Sequence, residues 1–290
     1  MYPASFEYLA PSQVNEAIAL LERYGEDAKL LAGGQSLVPM MKLRVARPKY
    51  LIDLNRISNL NTIREERGQI YVGAMTRHVQ IEESPLIREK LPMLCEAARQ
   101  IADTQVRNRG TLGGSLAEAD PSGDWGPVAL ALKAEMKCVG PKGERRIAAN
   151  NFFTFAYTSA LESHEILTEV IFPVPGAESR GVYLKLEPVA GAFAIVSAAV
   201  QIGLDQNGIC QIIGIGVTGR GAVPQQAVTI ENLLTGKKIT PELIDQAGRL
   251  IQEGADPIDD MRGSAHYKKK ALSAILRRAL NEGLRRAHPE

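Results

Sequence analysis

The sequence predicts an α+β fold in two parts, and three observations carry that expectation. In the last third of the chain, residues 182–186, 192–204 and 209–217 read as three consecutive strands, and three helical stretches follow them. Strands grouped ahead of helices indicate α+β rather than alternating α/β. The earlier part mixes short apolar strands with amphipathic helices, and there the dipeptide Gly-Gly occurs twice in similar surroundings. Between the two parts, Pro173-Val174-Pro175-Gly176 opens a proline- and glycine-bearing stretch that runs to Gly181. Such punctuation marks a boundary, so the expected units are residues 1–176 and 177–290.

Taken in order, Val14, Ala17, Ile18, Leu20 and Leu21 have helical spacing, with Ser12 as N-cap and Gly25 as stop. Lys29, Leu30, Leu31 and Ala32 form an apolar strand that ends at Gly33-Gly34. Gln35 and Ser36 follow, then a helix-like pattern over 37–43 despite Pro39. Residues 50–54 read as a strand, and 63–66 with 69–73 as a hairpin around Arg67-Gly68. Thr76 caps a short helix through Ile81. One amphipathic helix is expected over 85–102, carrying Leu86, Ile87, Leu91, Leu94, Ala97, Ala98 and Ile101. Residues 105–109 lead into a second glycine loop, Thr111-Leu112-Gly113-Gly114-Ser115. A helix from Asp124 through Leu132, a hairpin of 135–139 with 145–147, and a strand at 166–172 complete the first unit. In the second, Asn207-Gly208 favours a tight turn between its last two strands. The helices are expected at 226–234, 241–254 and 266–287.

The chain of 290 residues has a formal net charge of +1 and a hydrophobic fraction of 45%, which argues against nucleic acid as the main partner. No apolar run reaches transmembrane length, and residues 1–7 lack the basic and apolar regions of a leader, so a cytoplasmic protein is expected. Cys95, Cys138 and Cys210 stand singly, as do His78, His164, His266 and His288. Their spacing builds no disulfide framework, zinc site or iron–sulfur site. No metal site is expected, no residue is assigned a catalytic role, and redox chemistry would need a bound organic cofactor.

The two Gly-Gly segments are where a ligand would be held. Glycine allows positive φ and close approach to bare backbone, and successive N–H groups in such a turn form an anion-binding concavity. Two such turns could grip a diphosphate from opposite sides, or they are two unrelated tight turns. Gly214, Gly216 and Gly219 also spell Gly-x-Gly-x-x-Gly. A dinucleotide fingerprint needs a helix opening within the glycines, whereas Gly221 and Pro224 delay it here, so a turn leaving an antiparallel sheet is expected. Asp124 reads as a helix N-cap or as an acceptor for polyol hydroxyls. The basic residues of the last helix (Lys268 to Lys270, Arg277, Arg278, Arg285, Arg286) read as a solvated face or a docking surface for an acidic partner. Tyr183, Phe193 and Tyr267 read as core aromatics.

Ala32-Gly33-Gly34-Gln35-Ser36-Leu37-Val38-Pro39, Arg107-Asn108-Arg109-Gly110-Thr111-Leu112-Gly113-Gly114-Ser115, Asp120-Pro121 and Asp124 together resemble the FAD-binding medium subunits of molybdenum hydroxylases. That family includes the medium chain of carbon monoxide dehydrogenase and the flavin domain of xanthine dehydrogenase. Lys185 and Asp260-Met261-Arg262-Gly263-Ser264-Ala265-His266-Tyr267 resemble its C-terminal domain, so the likeness runs nearly end to end. It implies a two-subdomain FAD-binding fold of the vanillyl-alcohol-oxidase (PCMH) type, with subdomains of about 1–56 and 57–176. A C-terminal domain with a three-stranded antiparallel sheet and helices would follow.

The resemblance also implies a partnership. A large subunit would hold the molybdenum cofactor and choose the substrate, a small one would hold two [2Fe–2S] clusters, and this chain would hold FAD, in a dimer of heterotrimers. Electrons would pass through the clusters and FAD to an external acceptor. Carried over by position, Ala32, Gly33, Gly34, Gln35 and Ser36 with Thr111, Leu112, Gly113, Gly114 and Ser115 would bind the diphosphate and neighbouring atoms. Lys29, Leu30 and Leu31 would lie alongside. Asp124 would accept from the flavin's polyol side, Leu167 and Phe193 would pack near the ring, and Lys185 would bring a cation to it. Some relatives have histidine where this chain has Gln35, which puts the binding in the backbone. The competing readings are a self-sufficient FAD-dependent oxidoreductase of the same fold and a nucleotide-binding scaffold without redox function.

Overall fold

The computed structural model describes residues 2–287; His288 lies outside the described residues. The chain starts with three parallel strands, β1 (Glu7–Leu9), β2 (Ala28–Leu31) and β3 (Tyr50–Asp53), in the order β1-β3-β2. Helix α1 (Val14–Tyr24) and the short α2 (Leu37–Lys42) make the crossovers. Ala17, Ile18 and Leu21 of α1 are buried in one cluster with Ile52 of β3, so the helical spacing read in the sequence is the face laid on the sheet. The N-cap is Gln13 rather than Ser12; Ser12 instead donates its N–H to Glu16 Oε2 at 2.8 Å.

A five-stranded antiparallel sheet follows, in the order β4-β5-β10-β6-β7. Its strands are β4 (Ile63–Glu66), β5 (Gln69–Gly73), β6 (Glu135–Gly140), β7 (Gly143–Ala148) and β10 (Ile166–Pro173), while β8 (Phe153–Phe155) and β9 (Thr158–Ser159) make a small separate hairpin. Every residue of β10 except Pro173 is buried, as suits its central position. Between β5 and β6 run six helices: α3 (His78–Glu83), α4 (Pro85–Lys90), α5 (Pro92–Gln100), α6 (Thr104–Arg109), α7 (Leu112–Glu118) and α8 (Trp125–Ala131). The single helix expected over 85–102 is two, because Pro92 cannot continue the first and restricts Leu91, which takes φ −140°.

The C-terminal unit holds β11 (Ser179–Leu186), β12 (Val196–Leu204), β13 (Cys210–Thr218) and β14 (Gln225–Gln226), all antiparallel. Three long strands match the expectation, and the two-residue β14 adds an edge. Helices α9 (Val228–Leu234), α10 (Pro241–Glu253) and α11 (Ala265–Ala287) cover the sheet. The strand expected from 192 begins only at Val196, and Phe193, read as a core aromatic, is 49% exposed in the preceding loop.

The glycines of Gly-x-Gly-x-x-Gly do not all belong to a turn. Gly214 and Gly216 lie within β13, and only Gly219 (φ +75°) is in the turn after it. A Cβ on Gly214 would sit 2.0 Å from Ala131 O, and one on Gly216 2.0 Å from Pro127 O, so both let α8 rest directly on the strand. Helix α8 is therefore buried along its whole length between the two units. Arg286 adds a polar tie from α11, donating to Glu96 Oε1 of α5 at 2.5 Å and to Gly181 O at 2.8 Å. No helix among the described residues is long and apolar enough to cross a membrane.

Candidate cofactor-binding site

A cleft of about 480 Å3 opens where the turn after β2, the α6–α7 segment, the start of β10 and the loop before β12 converge. Its size falls in the roughly 300–1,000 Å3 range of small-molecule sites. On its first wall, β2 ends and the chain turns through Gly33 and Gly34, with φ of +74° at Gly34, a conformation that favours glycine. Among the described residues, the backbone N–H groups of Gly33, Gly34, Gln35, Ser36 and Leu37 have no hydrogen-bond partner. Five consecutive free donors lining a cleft are an anion-binding concavity. The Gln35 amide donates back to Gly33 O at 3.2 Å, bracing the turn.

The second glycine segment is built differently. It is the first turn of α7, capped by Thr111, and the N–H groups from Leu112 to Ser115 are already used within the protein. Leu112 donates to Thr76 O at 3.0 Å, Gly113 to Ala74 O at 2.9 Å, and Ser115 to Thr111 O at 3.1 Å. Gly114 donates to Thr111 Oγ1 at 3.1 Å. The expectation of a second loop offering backbone donors is thus corrected. The glycines here serve close packing: a Cβ on Gly113 would lie 2.4 Å from Ala74 Cβ, and one on Gly114 3.1 Å from Ala32 Cβ. Thr111, Gly113, Gly114 and Ser115 all line the cleft, and Thr111 and Ser115 bring hydroxyls to it.

The two segments touch backbone to backbone. A Cβ on Gly33 would sit 2.3 Å from Arg109 O and 2.6 Å from Gly110 Cα. Arg77 donates to the same Arg109 carbonyl. From there the six residues of α6 run about 9 Å along the cleft. At the far end a Cβ on Gly191 would meet Ala102 O at 2.7 Å. Ile101, Ala102, Val106 and Phe193 line the cleft there, and the Arg262 guanidinium lies 5.7 Å from the Phe193 ring. Arg262 also donates to Ser122 Oγ, so the C-terminal unit reaches across to the first.

Asp124 stands at the N-cap position of α8, as the sequence suggests, but its side chain makes no capping bond. It is buried against β11, where Tyr183 Oη donates to its Oδ1 at 2.6 Å and Lys185 Nζ stands 3.2 Å from the same oxygen. Oδ2 has no protein partner among the described residues, and Asp124 lines the cleft. Burial pushes its carboxyl above the ordinary range, against the pull of Lys185. Lys185 is itself 1% exposed at its side chain, pairs with Glu187 at 2.9 Å, and donates to Gln100 O at 2.6 Å and Ala192 O at 3.1 Å. Tyr183 is buried as expected, but through a polar contact as well as packing.

Most of the residues singled out in the sequence come together here. Lys29, Leu30, the run from Ala32 to Ser36, Thr111, Gly113, Gly114, Ser115, Asp124, Leu167 and Phe193 all line the cleft. Leu31, Leu112 and Lys185 are not on its wall: Leu112 is fully buried in the main core, and Lys185 stands behind Asp124. His78 lines the cleft and was not singled out. The residue is 4% exposed; its ring accepts at Nδ1 from Trp125 Nε1 at 3.2 Å and lies against Gly110, whose added Cβ would be 2.7 Å from Nε2. Burial, with Arg77 and Arg107 nearby, lowers its pKa to about 4. Nothing in local spacing separates it from the other dispersed histidines; only the fold does.

Residues 4–175 match the FAD-binding domain of molybdopterin dehydrogenases, and residues 182–283 match the CO dehydrogenase flavoprotein C-terminal domain. The carbon monoxide dehydrogenase medium chain of Hydrogenophaga pseudoflava is 40% identical over 281 residues, covering 97% of this chain and 98% of that one. The 6-hydroxypseudooxynicotine dehydrogenase complex subunit alpha of Paenarthrobacter nicotinovorans is 37% identical, over 100% of this chain and 98% of its own. A solved structure of the Hydrogenophaga pseudoflava carbon monoxide dehydrogenase lacking the Mo-pyranopterin moiety superposes with a TM-score of 0.96 at 41% identity, covering 99% of each chain. With fold, cleft and both halves of the sequence in agreement, this chain belongs to the family of FAD-binding medium subunits of molybdenum hydroxylases, and it is an oxidoreductase flavoprotein subunit.

Proposed function

We propose that this chain carries electrons from the [2Fe–2S] clusters of a small partner subunit through FAD to an external acceptor. A large subunit with the molybdenum cofactor would oxidise the substrate, in a cytoplasmic dimer of heterotrimers. The chain divides into an FAD-binding unit of residues 1–176 and a C-terminal unit of 177–290. The observation that carries the reading is the run of five free N–H donors from Gly33 to Leu37 in the cleft wall. The FAD diphosphate is an anion of the kind such a concavity takes, with the Ser36, Thr111 and Ser115 hydroxyls as further donors. Asp124 Oδ2 accepts from a polyol hydroxyl, while Leu167 and Phe193 pack near the ring. Lys185 acts from behind, offsetting the negative charge of Asp124 beside the cofactor. Bound FAD supplies the redox chemistry; the protein supplies position and electrostatics.

The test is ligand selectivity of the apo chain, titrated with FAD and with riboflavin, which lacks the diphosphate. FAD is expected to bind at one per chain and riboflavin to bind at least a hundredfold more weakly, since several charge-assisted hydrogen bonds of about 1.5–3 kcal/mol each are lost. Equal binding of the two would remove the turn from the site. Reduction of the bound flavin by an organic substrate with no partner present would replace the electron-transfer role by the self-sufficient oxidoreductase.

A further inference from the structure

His78 is the one cleft-lining histidine among the described residues, and its surroundings leave it a single chemical form. An indole N–H only donates. The 3.2 Å contact from Trp125 Nε1 therefore requires a lone pair on His78 Nδ1, and the neutral ring must carry its proton on Nε2. Protonating Nδ1 would set two N–H groups against each other, beside the guanidinium groups of Arg77 and Arg107 and in a buried site. Nε2–H has no partner in the protein among the described residues, although the residue is only 4% exposed. A buried donor left unpaired is costly. Gly110, against which Nε2 lies, lines the same cleft as His78, so an acceptor bound there is within the reach of this edge of the ring.

The position is as specific as the form. The Nε2 edge lies against Gly110, the residue that also abuts the Gly33 turn. The His78 backbone N–H holds Gly110 O at 3.1 Å. On its other side Trp125 follows Asp124 directly in the chain. His78 thus sits beside the diphosphate turn, tied through Trp125 to the element that begins after Asp124. With no lone pair available on either nitrogen, it cannot serve as a general base. It can only donate.

We propose that His78 is a cofactor-binding residue, a neutral imidazole that donates its Nε2–H to an acceptor on bound FAD, and that Trp125 is the positioning residue that locks its tautomer. This rests on the FAD reading above. It gives the cleft a donor independent of the backbone turn and opposite in kind to Asp124, an acceptor.

The full-length protein, with FAD as the probe, tests this in two ways. His78→Leu fills the space without a donor and is expected to weaken FAD binding about five- to tenfold, the equivalent of one net hydrogen bond. His78→Gln can place an amide N–H where Nε2 stands and is expected to bind within twofold of the unaltered protein. Equal affinities for the Leu variant and the unaltered protein would overturn the proposal. Equal losses in both variants would also overturn it, because mere packing does not distinguish them. Nitrogen-15 NMR of the histidines needs no variant and decides the case even if His78→Leu fails to fold. The expected result is an Nε2-protonated neutral ring whose Nε2–H resonance moves on adding FAD. An Nδ1-protonated ring, or an Nε2–H signal indifferent to bound FAD, would refute it. If the unaltered protein takes up no FAD at all, the cofactor reading fails instead, and the tautomer assignment stands apart from it.

Discussion

Gly33-Gly34 and Gly113-Gly114 are the same dipeptide, each leading to a serine, yet they do opposite work. The first bends the chain through positive φ and leaves five N–H groups free toward the cleft. The second is helical, has its N–H groups paired, and uses the missing side chains to press α7 onto Ala74 and Ala32. One segment presents backbone to a ligand; the other brings a helix close enough to build the opposite wall. A glycine pair therefore reports close approach, and only the surrounding backbone says whether a ligand or the protein itself approaches.

The largest test of that contrast is Gly33→Val. Its added atoms would meet Arg109 O and Gly110 Cα, neither of which can move as a side chain can. We expect about 3 kcal/mol or more of lost stability in denaturant titrations, together with loss of flavin from the purified protein. A fully loaded Gly33→Val protein of normal stability would show that the two segments need not touch.

Acid probes the second segment by way of His78, which holds Gly110. Its folded pKa of about 4 lies below the ordinary value of 6.5, so between these values the unfolded chain binds the extra proton. The stability contributed is complete above about pH 6.5 and is lost as pH falls toward 4. Comparing pH 7 with pH 4.5 should cost roughly 2 kcal/mol that His78→Gln does not lose. Parallel pH profiles for the two proteins would mean that His78 is not held neutral.

The smallest effect is expected at Thr111→Val. It removes the cap that holds the Gly114 N–H, for about 1 kcal/mol of stability, and one hydroxyl from the cleft, for a few-fold loss of FAD affinity. A thermal melt and a flavin titration on the same preparation separate the two losses. If affinity falls as far as in Gly33→Val, the two segments are equal partners after all.

Much of this site was legible before any coordinates. The stop of an apolar strand at Gly33-Gly34, the second pair at Gly113-Gly114 and Asp124 beyond it are local patterns, and all three line one cleft. Their mechanisms were less legible. Thr111-Leu112-Gly113-Gly114-Ser115 reads as a loop because glycine has poor helix propensity; tertiary contacts to Thr76 and Ala74 override it. Asp124 reads as a cap because carboxylates favour helix starts, but Tyr183 and Lys185, about sixty residues away in sequence, claim its side chain. Gly214 and Gly216 mimic a phosphate motif because a strand that a helix must lie upon needs the same absence of Cβ.

The sequence by itself determined the α+β class, the strand-then-helix order of the C-terminal unit, the turn at Gly33-Gly34 and the family. Each depends on neighbours in the chain: hydrophobic period, glycine φ, motif spacing. Only the tertiary structure decided that the run of free backbone donors belongs to the first glycine pair and not to the second, that Lys185 reaches the cleft through Asp124, and that His78 faces it as a fixed donor. Each of those turns on which group a buried polar atom finds as its partner. That is settled by packing across the fold, where an unpaired donor or charge is costly, and no local pattern encodes it.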